Sequence, residues 1–167
     1  KGDPDNKTEE AIESAKKSFS VLYHWKSIPG LQNNGIIDVE KLDNWIEIVK
    51  TEASKCGLLR LAQEEFGKVS FYSPQDPDGF FINRRIAYYL QSDTAEGVRT
   101  GYSVEAFNSR GAHWVDPTGK PEFELEEKYN NMANAADEEG MFRFANTLRE
   151  IAQNYHYEAI ENINYGR

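Results

Sequence analysis

The chain has 167 residues and a formal net charge of −9, with 39% hydrophobic and 13% aromatic residues. That length suits one domain or two small ones; nine Phe, nine Tyr and three Trp place the apolar content in large side chains, enough for a core and inconsistent with a disordered, collagenous or low-complexity chain. A single cysteine, Cys56, excludes an intrachain disulfide framework, and no stretch approaches the roughly 18 consecutive apolar residues of a membrane span.

The first periodic segment covers about residues 7–27. Ala11, Ala15, Phe19, Leu22 and Trp25 recur at three- and four-residue spacing and predict a helix that stops at Pro29-Gly30. Residues 31–35 read as a loop turning at Asn34-Gly35. Asp38 is the expected N-cap of the next helix, because its carboxylate can accept from the unbonded N–H groups of a first turn. Val39, Leu42, Ile46, Val49, Ala53 and Cys56 then mark one helical face, and Gly57 is its natural stop.

Residues 58–71 present Leu58, Leu61, Ala62, Phe66 and Val69 on one side. They mark a third helical segment, which Gly67 weakens, since Gly costs about 1 kcal/mol relative to Ala in a helix interior. Two prolines and Asp78-Gly79 within residues 73–79 require a loop. Helices are expected over about 82–92 and 94–109, the second closed by Gly111. A connector over 112–120 follows, anchored by Trp114 and Val115, and Pro121 suits a first helical position. Leu125, Tyr129, Met132 and Ala136 mark one further helix. After a break near Gly140, Met141, Phe144, Leu148, Ile151, Tyr155 and Ala159 mark a long last one. Strand character is confined to 68–72 and 79–82. The pattern predicts an all-α fold, a compact bundle of six to seven helices with short connections, forming one domain over 1–167.

Charge is unevenly spread: −2 over residues 1–50, −1 over 51–110 and −6 over 111–167. An acidic chain repels phosphate backbones, so nucleic acid is a disfavoured partner. The middle third, with Arg60, Arg84, Arg85, Arg99 and Arg110, is the one region where such a surface could exist.

Motifs for chemistry are sparse. There is no G-x-G-x-x-G, no C-x-x-C and no H-E-x-x-H, so no cofactor and no metal is expected. His24 reads as a helix-end histidine beside terminal carbonyls rather than a base. His113, Trp114 and Asp116 form the most enzyme-like cluster, with Ser103 and Ser109 close in sequence. Its spacing matches no triad, and a connector held by Trp114 is the competing reading. Gly97 and Gly101, four apart on a predicted helix, need a compensating close approach, of another helix or of a ligand. Arg99, Tyr102, Asn108 and Arg110 on that same helix are the expected binding residues, since amide and guanidinium donors there could grip a carboxylate or phosphate. The acidic positions from Glu122 to Glu127 and Asp137 to Glu139 read as a solvated face, with a basic partner as the alternative. Phe80-Phe81, Tyr88-Tyr89 and Tyr155-His156-Tyr157 place rings on both sides of their elements, so some are expected to face a partner as a patch of several hundred Å².

Leu22-Tyr23-His24-Trp25-Lys26-Ser27-Ile28-Pro29-Gly30, Gly35-Ile36-Ile37-Asp38 and Leu42-Asp43-Asn44-Trp45 resemble the opening of a C-terminal region of large uncharacterised bacterial proteins. In that family a Trp-His-x-Ile-Pro-Gly-like stretch precedes an acidic cap and a Leu-x-x-Trp helix; here His24 and Trp25 stand in reversed order. The likeness continues at Asp76-Pro77-Asp78-Gly79 and from Tyr102 to Asn108-Ser109-Arg110-Gly111, and ends with a helix through Leu148 and Tyr157. It implies an auxiliary C-terminal domain and no activity. A start at Lys1 rather than Met agrees with a piece of a longer protein. The expectation is therefore a non-enzymatic, cytoplasmic helical interaction domain, docking on a protein partner or on other domains of its own chain, without a membrane. The alternative is a small-ligand or hydrolytic domain at Arg110, His113 and Asp116.

Overall fold

The structure is a computed structural model and describes residues 13, 16, 17, 20–22, 24–112 and 114–165. It is an all-α bundle. Six helices follow one another: α1 (Val39–Lys55), α2 (Leu59–Ser70), α3 (Arg84–Gln91), α4 (Glu96–Asn108), α5 (Lys120–Glu138) and α6 (Phe142–Tyr165). Residues 13, 16, 17, 20–22 and 24 before them are also helical. Ala11, Ala15 and Phe19 of the expected first stripe lie outside the described residues.

Local signals place most helix ends. Asp38 accepts from the Lys41 amide at 3.1 Å and caps α1. Past Gly57, the Leu58 amide returns to the Ala53 carbonyl at 2.8 Å and closes the helix. Asn83, unforeseen as a cap, accepts from the Arg85 amide and starts α3. Pro121 sits in the first turn of α5. The N-terminus of α6 is capped from a distance: Gln91 Oε1 accepts from the amides of Arg143 and Phe144 at 2.7 and 3.2 Å. The two segments with strand character form no strand. Residues 68–70 complete α2, residues 79–82 are irregular chain after the turn at 77–78, and the sole β-bridge among the described residues pairs Leu31 with Ile37.

Packing rests on two helix pairs. α5 and α6, joined by a short turn, run antiparallel and share the largest interface. Alanines buried on both, Ala133 and Ala136 against Ala145 and Ala152, let the axes approach. The second pair is α2 with α4. A Cβ added to Gly101 would stand 2.7 Å from the Glu64 carbonyl carbon, and one added to Gly67 would stand 2.8 Å from the Tyr102 amide nitrogen. One added to Gly97 would meet Gln63 Cβ at 2.7 Å. The backbones therefore touch, and the glycine that locally weakens α2 is part of the reason α2 packs where it does. α3 and α4 lie on α6, and buried residues of all six helices join one hydrophobic cluster, with Phe144, Leu148, Ile151 and Tyr155 of α6 at its heart.

Ion pairs tie loops to this frame. Arg84 bonds Asp76 at 2.9 Å, Asp78 at 2.7 Å and Glu139 at 2.9 Å, fastening the Pro-rich loop to the turn between α5 and α6. At Gly119 (φ +65°), an added Cβ would meet the Ala159 carbonyl oxygen at 2.7 Å, so the connector before α5 lies hard against α6.

Candidate functional site

The residues expected to bind are held in separate places. Tyr102 is a core residue, 2% exposed, and burial drives its phenol well above the ordinary range. Arg99 Nη1 donates to the Leu90 and Ser92 carbonyls at 2.8 and 2.7 Å, satisfying the end of α3. Burial and the neighbouring Arg143 charge lower its affinity for its proton. Arg110 lies over the Tyr155 ring, bonding Glu122 at 2.6 Å and both oxygens of Glu158 at 3.1 Å. Glu122 is 1% exposed; burial pushes its pKa up, but the Arg110 guanidinium and a backbone donor outweigh this and hold it below the usual value. Asn108 is exposed at the end of α4. The Arg99-to-Arg110 segment is thus mainly an internal brace rather than an open grip.

The enzyme-like cluster fares similarly. His113 lies outside the described residues. Asp116 accepts from the amide and hydroxyl of Thr118 at 2.8 and 2.7 Å, closing a turn. Trp114 does not anchor its connector; it is 96% exposed. His24 Nδ1 lies 2.8 Å from the Ser20 carbonyl, as a helix-end histidine should.

Each arginine of the middle third is engaged. Arg60 meets Glu64 and Glu96, Arg84 its three carboxylates, Arg85 Asp43, Arg99 two carbonyls, and Arg110 Glu122 and Glu158. Their charge is locally compensated, so they do not add up to a basic face.

The aromatic surplus is also largely internal. Phe80 packs on Phe81 and Phe81 on Phe144, while Tyr155 is fully buried with its hydroxyl on the Ala106 carbonyl at 3.0 Å. Tyr88, Trp114, Phe142, Tyr157 and Tyr165 are exposed. Phe142 and Tyr165 occupy opposite ends of α6, about 34 Å from one another at 1.5 Å per residue.

What the fold does build is a groove where α1, α2 and α3 meet. Its cavity is about 200 Å³. Trp45, Val49 and Lys50 come from α1, Ala62 from α2, and Arg85 and Tyr88 from α3. Trp45, Phe66 and Tyr89 line it as a ladder of rings, Trp45 on Phe66 at 5.6 Å and Phe66 on Tyr89 at 6.3 Å, and outside the lining Trp25 packs on Trp45 at 5.3 Å. The predicted apolar face of α1 explains why it is there. Leu42 and Ile46 are buried, but Val49 and Ala53 further along are only partly covered, and Val39 and Cys56 are exposed. The stripe outruns the helices that cover it. One wall is fixed by Asp43, which accepts from Arg85 Nε at 3.0 Å, from Arg85 Nη2, and from the Tyr89 hydroxyl at 3.0 Å. The Arg85 pair holds the Asp43 carboxyl below its ordinary value, with Tyr89 helping. Sequence reasoning named Val49, Ala62 and Phe66 only as core-facing stripes, Arg85 only among the middle-third arginines and Tyr88-Tyr89 as a ring pair, and brought none of them together. Tyr88 is indeed open to solvent, at 52%.

A polar trough between α4 and α6 is a second concavity, lined by Arg99, Thr100, Ser103, Arg143, Asn146 and Glu150 among others. Among the described residues no cluster of His, Cys, Asp and Glu could hold a metal, and no helix is long and apolar enough to cross a membrane. Comparison with protein-family models, with curated proteins and with solved structures yields no match to this chain.

Proposed function

We propose that this chain is a non-enzymatic helical interaction domain, an auxiliary module of a larger bacterial protein, and that its recognition face is the α1–α2–α3 groove. One observation carries the reading: the apolar stripe of α1 continues into an aromatic-floored groove that nothing in the described chain fills. An apolar stripe left open to water lowers the benefit of folding it, and burying it against a partner recovers that benefit. Large rings in a concave site are the residue types that dominate binding energy at protein interfaces. The alternative hydrolytic centre gains nothing from the geometry, because Arg110 and Asp116 are both committed to internal bonds.

Site-specific photo-crosslinking tests this. A photoreactive residue at position 88 should give a discrete protein adduct in cells of the source organism. The same residue at exposed position 127 on α5 should not. The adduct should vanish when Val49→Asp is added. Equal adducts from both positions, or none from position 88, would overturn the reading.

A further inference from the structure

Resting on that reading, we infer that the groove has an occupant of its own in the free chain: the N-terminal segment before Trp25, laid antiparallel on α1 with Phe19 between Val49 and Ala53, which a partner must displace. The described chain sets the direction. Gly30 is held at the start of α1, where the Asp38 amide donates to its carbonyl at 2.9 Å and an added Cβ would stand 3.3 Å from the Leu42 amide nitrogen. Trp25 packs on Trp45 at 5.3 Å, further along the same helix. The stretch from Trp25 to Gly30 therefore runs antiparallel to α1. Continued backwards from Trp25, that line leads over Val49 and Ala53, the part of the stripe that the other helices leave only partly covered.

Register follows from the rise of a helix, 1.5 Å per residue. Phe19 stands six residues before Trp25, about 9 Å, while Val49 and Ala53 stand about 6 and 12 Å beyond Trp45 on α1. Leu22, which is helical and 39% exposed, falls beside Val49 in the same register. The segment has the faces this needs. Glu13, Lys17, Ser20 and His24 are exposed and share one side of a helix, with Lys17 bonding Glu13 at 3.7 Å. By spacing, Ala15, Phe19 and Leu22 fall on the opposite side. An apolar cavity of roughly 150 Å³ accommodates benzene, so a groove of about 200 Å³ has room for one phenyl ring. No charge is required of the occupant, because Lys50 and Arg85 in the lining are already paired with Glu47 and Asp43. Tethering makes a weak contact sufficient: at an effective concentration of about 1 mM, an intrinsic affinity of about 0.1 mM closes the groove about nine times in ten and lowers a partner's apparent affinity about tenfold.

The experiment reads thiol access on the full chain, with Cys56→Ser removing the native thiol. Ala53→Cys places a probe on the stripe, and Thr51→Cys places one on the far face of α1 as a control. Alkylation by iodoacetamide at position 53 should run about tenfold faster when Phe19→Asp is added and stay slow with Phe19→Leu, while position 51 responds to neither. The photo-adduct from position 88 should rise several-fold with Phe19→Asp. A position-53 rate that Phe19→Asp leaves unchanged, or acceleration at 51 and 53 alike, would overturn the inference. An unchanged rate beside a discrete position-88 adduct removes the cover and keeps the groove as an interface. Protection at 53 without any adduct keeps the cover and overturns the reading of the groove as a partner site.

Discussion

Replacing Gly101 by Ala isolates the closest contact in the fold. Helix propensity alone predicts a gain, because Ala is better than Gly inside a helix by about 1 kcal/mol. The structure predicts the reverse. The new Cβ would lie 2.7 Å from the Glu64 carbonyl carbon, where ordinary carbon contact is about 3.7 Å, so α4 must retreat from α2 by about 1 Å. The obstacle is backbone, which no rotamer change can clear. Overpacking of this kind costs about 1–3 kcal/mol. A gap of that width also forfeits a quarter to a half of the dispersion attraction between facing atoms, here those of Phe66 and Val69 against Val98 and Tyr102. That dispersion loss is on the order of 1 kcal/mol over some tens of atom pairs, so less the propensity gain the net loss is roughly 1–3 kcal/mol, or a fall of about 2–12 °C in Tm for a chain this size. Urea unfolding followed by far-ultraviolet circular dichroism measures it. Gly97→Ala should lose less, since the atoms it meets belong to the Gln63 and Arg60 side chains. Gly140→Ala meets nothing within 4 Å and should lose only the cost of its positive φ, about 1–2 kcal/mol. If Gly101→Ala is as stable as the parent chain, or more so, the close α2–α4 crossing is wrong.

The buried ion cluster and the acid response give two further tests. Glu122→Gln removes the charge facing Arg110 at 2.6 Å and should cost roughly 3 kcal/mol, toward the lower end for a broken buried pair because Glu158 still holds the arginine; a double-mutant cycle with Arg110→Met should show coupling above about 1 kcal/mol, and additive effects would contradict it. Asp43 and Glu122 both titrate below their ordinary values when folded, so the unfolded chain binds more protons in acid. Their stabilisation is complete above the unfolded carboxylate range near about pH 4 and is lost as pH falls through the lower folded values. At the other extreme, burial raises Tyr155 to about 12, so its contribution is intact below the unfolded phenol value of about 10 and fades as pH rises beyond it. The urea midpoint should therefore be flat from about pH 5 to 9 and fall on both sides; a midpoint unchanged down to about pH 3 would refute the acid limb.

The sequence by itself determined the helices and much of their caps. Three- and four-residue spacing is a property of one element, so Met141, Phe144, Leu148, Ile151, Tyr155 and Ala159 identify the buried face of α6 without knowledge of what buries it. Asp38 and Gly57 work the same way, because capping bonds reach only a few residues. The pairing of Gly97 and Gly101 was also legible as a need for close approach. What approaches was not: Gly67 reads locally as a weak point in a helix and becomes a contact only when α2 crosses α4. The same limit governs the site. Arg99 and Arg110 look like open donors until distant partners, Leu90 and Glu122 among them, are brought to them. Phe80-Phe81 looks exposed until Phe144 stacks on it. The groove is the clearest case, since periodicity says that the stripe of α1 wants cover and cannot say where its cover ends. Local structure follows from interactions within a turn or two of chain, whereas coverage and charge pairing are set between elements far apart in sequence, and those are what the tertiary structure decided.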